Sequence, residues 1–255
     1  MSQLQAQDVC VNLSGRAVLQ AVSVAAQGGE FIAVIGPNGA GKSTLLTVLA
    51  GLLLPDRGTV HLDARPLAGY APRDLARQRA YLPQNPRCDW PLPVERVVAL
   101  GLTPSLPAFG GFPPADQLRI DAALQACDLL SRRQQPVTTL SGGELARTML
   151  ARALVGDPAV LIVDEPIAGL DPRHALDAMR RLARLAHDEQ RLVIAAVHDL
   201  TLAMRYATRI LALRDGRLLA DGPPATTLTA ELLRELFDVA ACVSGEGASA
   251  YVDYV

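Results

Sequence analysis

The stretch that most constrains this chain is residues 31–45, which read FIAVIGPNGAGKSTL. An apolar run leads into a glycine-rich loop at 36–43, and an apolar helix is predicted from near Lys42 to about Leu54. The loop matches the pattern G-x-x-x-x-G-K-[ST], which cradles phosphate when it lies between a strand and a helix. The sequence therefore predicts an α/β fold built around a phosphate site, and we call residues 36–43 the phosphate loop.

The phosphate loop combines backbone freedom with positive charge. Its glycines can bring backbone amides close to a ligand, and the amides at a helix N-terminus attract anions. Lys42 is expected to place a full charge toward the β- and γ-phosphates of a triphosphate, and Ser43 to place its hydroxyl on Mg²⁺. An ordinary glycine turn is the alternative, disfavoured because all four fixed positions of the pattern are filled. The predicted nucleotide contacts here are Gly36, Pro37, Asn38, Gly39, Ala40, Gly41, Lys42, Ser43 and Thr44.

Composition narrows the class of protein. With 255 residues the chain is long enough for one large α/β domain, or for one with a small insertion. The 24 basic and 26 acidic side chains leave a net charge of −2, so no nucleic-acid partner is expected. We interpret the pairs Arg132-Arg133 and Arg180-Arg181 as solvated faces.

Cysteine spacing and apolar run lengths exclude further classes. The four cysteines are scattered without a C-x-x-C pair, which favours a reduced compartment over a zinc site or a disulfide framework. The longest apolar runs fall far short of the roughly 20 residues needed to cross a bilayer. This chain is therefore not expected to span a membrane by itself.

Turn signals and periodicity predict how the chain is organised. Three apolar stretches within residues 3–35 predict a β-rich start. Prolines crowd residues 85–114, and apolar residues then recur on one face of a predicted helix. We therefore predict a single domain over 1–255 that carries a mostly helical insertion at 85–156. Farther along, the patterns predict buried strands at 160–163 and 192–197, a helix at 173–190, a hairpin at 210–220 and a last helix ending at Phe237.

Acidic side chains follow the apolar strand at 160–163. Asp164 and Glu165 come directly after it, where the carboxyl end of a central parallel strand would place catalytic groups. The first carboxylate can hold Mg²⁺ through water, and the second can orient and polarise an attacking water. A solvated strand end is the simpler alternative, and it is weak because the preceding strand is so apolar.

Together the motifs resemble those of an ATP-binding cassette (ABC) transporter ATPase over nearly the whole chain. The matching segments are GPNGAGKS in the phosphate loop, Gln84 in YLPQ, LSGGE at 140–144, Asp164-Glu165, AGLD at 168–171 and His198 in AAVHD. The resemblance implies a P-loop fold with a mixed central sheet, an N-terminal antiparallel β subdomain and an inserted α-helical subdomain. It also implies that ATP and Mg²⁺ are the cofactors.

The resemblance implies a head-to-tail dimer of two copies of this chain. Ser141, Gly142 and Gly143, which we call the signature turn, would face the phosphates held by the other copy. Such a turn opens a helix, so its amides form a second anion cradle that needs a phosphate from outside. Asp171 would report across the same interface to the opposite site.

Two further catalytic positions follow from the resemblance. Gln84 would reach Mg²⁺ and the attacking water, while coupling the insertion to a membrane partner; His198 would contact the γ-phosphate. Without the resemblance, Gln84 would be interpreted as a surface amide and His198 as a core histidine. Leu13 lies where an aromatic residue usually stacks on adenine, which predicts looser base discrimination. Glu144 replaces the usual glutamine of the motif, and its effect is left open.

Two segments indicate the type of transporter. DWPLPVERVVALGLTP and HDLTLAMRYATRILALRDGRLLADGPP resemble importer ATPases for iron chelates, haem and cobalamin, although Leu102 stands where that group has arginine. Zinc and manganese importers are the nearest alternative, and a non-transport ABC ATPase acting on nucleic acid is a more distant one. The expected partners are a separate transmembrane permease and, indirectly, a periplasmic or surface substrate-binding protein. The expected location is the cytoplasmic face of the inner membrane, as a peripheral subunit.

Overall fold

Strands form three separate sheets in the computed structural model of the protein, which describes residues 2–106, 113–245 and 247–254. The antiparallel N-terminal sheet has the order β2-β1-β4-β5, and the central sheet has the order β10-β9-β3-β8-β7-β6. The strands are β1 (Gln3–Leu13), β2 (Arg16–Gln27), β3 (Phe31–Ile35), β4 (Arg57–Leu62), β5 (Arg65–Pro66), β6 (Arg79–Leu82), β7 (Val160–Asp164), β8 (Leu192–Ala196), β9 (Arg209–Arg214), β10 (Arg217–Gly222), β11 (Ala241–Ser244) and β12 (Tyr251–Tyr254).

The central sheet is mixed. β6, β7, β8, β3 and β9 run parallel, and β10 returns antiparallel to β9. Asp215 and Gly216 join those last two strands with φ values of 49° and 75°, as a two-residue hairpin turn with positive φ at both positions requires. The mixed sheet and the antiparallel N-terminal sheet confirm the predicted fold class.

The central sheet is buried on both faces, as its unbroken apolar strands predicted. In β3, Phe31, Ala33 and Ile35 pack into one hydrophobic cluster, while Ile32 and Val34 pack into the other. The first cluster is shared with the helices that follow β6 and with those of the C-terminal half. The second is shared with the antiparallel sheet and with the helix after the phosphate loop.

The helices that periodicity predicted are present, with one clear difference in length. The first helix ends at Leu49 rather than near Leu54, because Gly51 takes a left-handed conformation with φ 66°. The helices are α1 (Lys42–Leu49), α2 (Pro72–Gln78), α3 (Val94–Ala99), α4 (Pro114–Ala126), α5 (Gly142–Leu154), α6 (Pro172–His187), α7 (Leu200–Tyr206), α8 (Pro224–Thr227) and α9 (Ala230–Phe237).

Among the described residues between β6 and β7 there are three α-helices and several short 3₁₀ segments. The described part of 85–156 contains no strand, only an isolated bridge between Pro93 and Pro136. Part of the proline-rich segment, at 107–112, lies outside the described residues. Treatment of 85–156 as a separate insertion remains a prediction, since its core residues belong to the same cluster as one face of the central sheet.

The interpretation of the arginine pairs as solvated faces is wrong for Arg181, whereas Arg133 is partly exposed and engaged in ion pairs. Arg133 bridges Glu95 at 2.6 Å and Asp121 at 2.5 Å, which ties α3 to α4. Arg181 turns inward, and its Nε atom is buried. Sequence pattern could not show this, because acidic partners and enclosing helices are brought together only by tertiary packing.

The C-terminal residues, for which the sequence carried no signal, form a hairpin of β11 and β12. The hairpin is fastened to α7. Arg205 Nε donates to the carbonyl of Ala250 at 2.6 Å, and the amide of Val252 donates to Thr201 Oγ1 at 3.1 Å. Because α7 begins two residues after His198, the tail braces the helix that follows a predicted site residue.

Candidate nucleotide site

The phosphate loop connects β3 to α1 in a conformation that requires glycine. A Cβ added to Gly36 would lie 2.0 Å from the carbonyl oxygen of Leu213, and one added to Gly41 would lie 2.8 Å from that of Val18. Gly41 is the N-cap of α1 with φ 101°, and no side chain caps the helix. The amides that open α1 are therefore free to meet an anion.

Lys42 lies folded across the loop and is 7% exposed. Its Nζ donates to the carbonyl of Gly36 at 2.7 Å and to that of Pro37 at 3.0 Å. Burial lowers the pKa of Lys42, and the nearby carboxylates of Glu165 and Asp164 oppose that shift. The lysine is held beside the loop, and a phosphate there would compete with the two carbonyls for its charge.

A cleft of about 360 Å³ opens beside the loop and brings together residues from distant parts of the chain. Gln84 and Glu165 line it although they are far from the loop in sequence. Val18 of β2 also lines it, and sequence reasoning missed this residue because an apolar strand position carries no functional signal. Leu13 is 44% exposed at the end of β1 and is not among the lining residues, so its contact with a base remains a prediction. The lining consists of Val18, Asn38, Gly39, Gly41, Lys42, Ser43, Thr44, Gln84 and Glu165.

Asp164 is the last residue of β7 and is 3% exposed. Burial raises the pKa of its carboxyl group, while a hydrogen bond from the Ser43 hydroxyl acts in the opposite direction. Its Oδ1 atom is buried without a protein partner. A buried carboxylate oxygen beside a hydroxyl is the type of oxygen site that suits Mg²⁺ bound largely through water and phosphate. The residues present therefore fit the metal.

Glu165 follows Asp164 and contacts His198. Glu165 has a left-handed backbone with φ 54°, and its amide donates to the carbonyl of Ala196 at 3.2 Å. Its Oε1 atom is in close hydrogen-bond contact with His198 Nε2. β7 and β8 are adjacent parallel strands, so their carboxyl ends place both side chains at the same edge. The predicted base and the predicted γ-phosphate contact thus meet within one chain.

Gln84 and its neighbour Pro83 line different clefts. Gln84 lines the nucleotide cleft, whereas Pro83 and the preceding residues line a separate groove of about 380 Å³. That groove is formed by β6, α2, the 3₁₀ segment after α3 and α5. The side chain predicted to be catalytic, Gln84, is therefore the next residue after one that lines an open groove.

The signature turn lies at the exposed N-terminus of α5. Ser141 and Gly142 are exposed, and the described residues that line the nucleotide cleft include none of the signature turn. Ser141 Oγ accepts from the amide of Glu144 at 3.3 Å, and Glu144 Oε2 accepts from the Ser141 amide and hydroxyl at 2.9 Å each. Arg132 Nε lies 3.0 Å from the other carboxylate oxygen, Oε1. Glu144, whose effect the sequence left open, thus completes a capping box for α5.

Asp171 lies outside the nucleotide cleft and caps α6. Its Oδ1 accepts from the His174 amide at 3.0 Å, and its Oδ2 lies 2.6 Å from His174 Nδ1. These bonds to His174 lower the pKa of the Asp171 carboxyl group. The carboxylate is 58% exposed and stands near the end of the loop that follows Glu165.

Comparison with known proteins agrees with this geometry. Residues 19–168 match the family model described as ABC transporter. The chain belongs to the ABC transporter family. It is 41% identical over 244 residues to the hemin import ATP-binding protein HmuV of Rhodopseudomonas palustris strain BisA53, covering 92% of this chain and 88% of that protein. It is 44% identical over 224 residues to the HmuV protein of Nocardia farcinica, covering 87% of this chain and 76% of that protein.

Solved structures with the same fold are also ABC proteins. An inward-facing transporter assigned to the metal-chelate type matches with a TM-score of 0.84 at 23% identity, covering all of this chain and 97% of that one. The cassette MJ0796, solved as a dimer with ADP and Pi, matches with a TM-score of 0.79 at 24% identity, covering 87% of this chain and 98% of that one. The chain is an ABC-type ATPase. Among its described residues, no helix is both long and apolar enough to cross a membrane.

Proposed function

We propose that this ABC ATPase drives the import of haem or a related iron chelate through a separate permease. The observation that carries the proposal is the single cleft shared by the phosphate loop, Gln84 and Glu165, with the signature turn of the same chain left exposed. The HmuV proteins, named for hemin import, are about 40% identical to this chain over most of its length, and this supports the substrate class.

The residues of the cleft divide the chemistry of ATP hydrolysis among them. Lys42 and the loop amides bind and orient the phosphates. Ser43 and Asp164 would hold Mg²⁺, which would neutralise part of the phosphate charge. Glu165 accepts a proton from the attacking water, and His198 holds that carboxylate in place through its close contact. Gln84, which lines the same cleft, positions the same water.

Two copies acting head to tail would complete each site. The amides of Gly142 and Gly143 at the N-terminus of α5 would form an anion cradle that the chain's own nucleotide cleft does not include. Asp171, exposed near the same surface, would sense the neighbouring site.

A mixing experiment tests this arrangement. Lys42→Ala and Gly142→Asp variants should each lack ATPase activity, whereas their mixture should regain part of it. A mixed dimer keeps one site with an intact loop from one copy and an intact signature turn from the other. If each site used both elements of the same copy, the mixture would stay inactive, and the head-to-tail dimer would be ruled out.

The groove beside Gln84 is proposed as the surface that receives the permease. Four arginines line it, and no carboxylate is among the described lining residues, so the charge favours an acidic segment from the partner. Motion of Pro83 in the groove would be passed to Gln84 in the cleft. The arginines are Arg77, Arg79, Arg87 and Arg152.

A charge reversal in the groove tests the coupling. Arg87→Glu, at an exposed position, should abolish stimulation by the permease while the isolated chain keeps its basal ATPase rate. Arg234→Glu, on the exposed face of α9, makes the same charge change elsewhere and should have no effect. Equal stimulation of the wild type and the Arg87 variant would contradict docking at this groove.

The substrate is tested with the copurifying permease and binding protein in lipid vesicles. Haem, supplied with the binding protein, should stimulate ATPase activity and be taken up. Stimulation by zinc or manganese salts alone would instead support the alternative importer class. The proposed location is the cytoplasmic face of the inner membrane, with the ATPase bound to the permease as a peripheral subunit.

A further inference from the structure

A second basic cleft lies between α4, α5 and α6, away from the nucleotide cleft. Its volume is about 330 Å³, and it shares no lining residue with the nucleotide cleft. Cys127 and Leu150 form part of its apolar lining. Its four arginines define what we call the arginine cleft: Arg147, Arg173, Arg181 and Arg184.

Three of these arginines form a stripe on one face of α6. Positions 173, 181 and 184 fall within about 80° on a helix of 3.6 residues per turn. Arg147 approaches from α5 on the opposite side. Because the two helices contribute arginines to one cleft, the positive charge is concentrated between them.

The acidic residues of the cleft do not neutralise this charge. Asp177 and Asp128 line the cleft, but Asp177 lies 3.3 Å from the exposed Arg180, which is not among the described lining residues. His174 is engaged with Asp171. Across the residues that the structure describes, none of the ion pairs involves an arginine of the cleft. Four cations therefore face two carboxylates.

Two of the guanidinium groups have buried donors without partners. The Nε atoms of Arg147 and Arg181 are buried and make no hydrogen bond with the described protein atoms. Buried polar groups in folded proteins are nearly always hydrogen-bonded, so these two donors point to a ligand. The neighbouring Cys127 is no counter-ion, because burial raises the pKa of its thiol to about 11.

We propose that the arginine cleft binds a small phosphate-class anion that bridges Arg147 on α5 and Arg181 on α6. Planar guanidinium groups match phosphate oxygens in paired hydrogen bonds, which favours this class over a halide or an apolar ligand. The cleft volume is large enough to hold a pyrophosphate-sized group. α5 follows the signature turn and α6 follows Asp171, so the bound anion fixes these two elements relative to each other.

Calorimetric titration of the full chain with inorganic pyrophosphate tests the proposal. ADP is added only to the concentration that saturates the nucleotide cleft, in the presence of EDTA, and pyrophosphate is then titrated to higher concentrations so that it reports on a second site. The wild type should bind pyrophosphate, and added salt should weaken the binding. Arg147→Gln and Arg181→Gln should each weaken it by about tenfold or more, since each removes a charge-assisted contact.

Matched variants separate the cleft from general charge effects. Arg234→Gln, an exposed change on α9, should bind pyrophosphate like the wild type. Arg173 and Arg184 are exposed, so replacing both by Gln gives a variant that leaves the interior intact, with an expected loss of about threefold to tenfold. Unchanged ADP binding shows that each variant is folded.

Two outcomes would overturn the proposal. One is that the wild type, with its nucleotide cleft filled, binds no pyrophosphate; the cleft would then serve no small anion, and an acidic protein segment would be the remaining occupant. The other is that pyrophosphate binds Arg147→Gln, Arg181→Gln and the double variant of Arg173 and Arg184 as tightly as it binds the wild type.

Discussion

The phosphate loop and the signature turn are both helix N-termini rich in glycine, yet the chain treats them differently. The phosphate loop is enclosed by β2, β9 and the edge of the central sheet, and its lysine is almost fully buried. The signature turn is open to solvent, and its serine is engaged by Glu144 of the same helix. One cradle is built into the core, and the other is presented at the surface.

This difference shows where the chain is complete and where it is not. Lysine, hydroxyl, carboxylates and histidine all converge on the phosphate loop within one copy. The signature turn has backbone donors, and the carboxylate beside it, Glu144, is engaged by Ser141 and Arg132. The comparison predicts that changes at the first region affect binding and chemistry, while changes at the second affect closure between copies.

The largest expected effect is on turnover after Glu165→Gln. Loss of the proposed general base should lower the ATPase rate by roughly 10²–10⁴-fold, since general-base help is of this size. ATP binding should persist, because the loop and Lys42 are intact. Steady-state hydrolysis and nucleotide binding, measured on the same preparation, separate the effect on turnover from the effect on ATP binding. An unchanged hydrolysis rate would show that Glu165 is not the base.

The next effect compares one glycine from each cradle. Gly36→Ala forces a Cβ to within 2.0 Å of the Leu213 carbonyl oxygen and should lower the free energy of unfolding by about 3 kcal/mol or more. A Cβ added at Gly142 has no atom within 4 Å, so Gly142→Ala should change the free energy of unfolding by less than about 0.5 kcal/mol. Chemical denaturation checks both, and equal losses would show that the two turns are equally enclosed.

Lys42→Ala should weaken ATP binding, with a free-energy change smaller than that expected for Gly36→Ala. A hydrogen bond to a charged group contributes about 1.5–3 kcal/mol, so the affinity should fall by roughly tenfold to a hundredfold. Ser141→Ala on the isolated chain should leave affinity for ATP unchanged, because the signature turn does not line the nucleotide cleft. Titration with a fluorescent nucleotide measures the ATP affinity of both variants. Equal loss of affinity in both would contradict the contrast between the phosphate loop and the signature turn.

The smallest effect is a pH dependence at the signature turn. Hydrogen bonds from the Ser141 amide and hydroxyl hold the pKa of Glu144 below its ordinary value. A lowered folded-state pKa means that the carboxylate stabilises the protein above its ordinary pKa of about 4.3, and that this contribution is lost as pH falls through the folded value.

Glu144→Gln should therefore lower stability at neutral pH by at most about 1 kcal/mol, with the difference shrinking toward acid pH. Glu235→Gln, an exposed change on α9, is the control. Denaturation midpoints measured from neutral to acid pH give the comparison. A difference that grew toward acid pH would contradict the capping role.

Local chemistry made much of the site predictable. The glycines of the phosphate loop, the acidic pair after an apolar strand and the hairpin at Asp215-Gly216 each require particular residue types at fixed spacing. Val18, the contact between His198 and Glu165, and the inward turn of Arg181 were not predictable. Each of these depends on partners distant in sequence, and periodicity reports only which residues are buried.

The sequence by itself determined the family, the fold class and the residue types at the phosphate loop, because backbone geometry and phosphate chemistry permit few alternatives there. Only the tertiary structure decided which groups face each other across elements. It shows that Glu144 caps α5. It also places two buried arginine Nε donors without described protein partners between α5 and α6. Packing decides such matters, since burial and charge pairing are properties of the assembled helices rather than of any one segment.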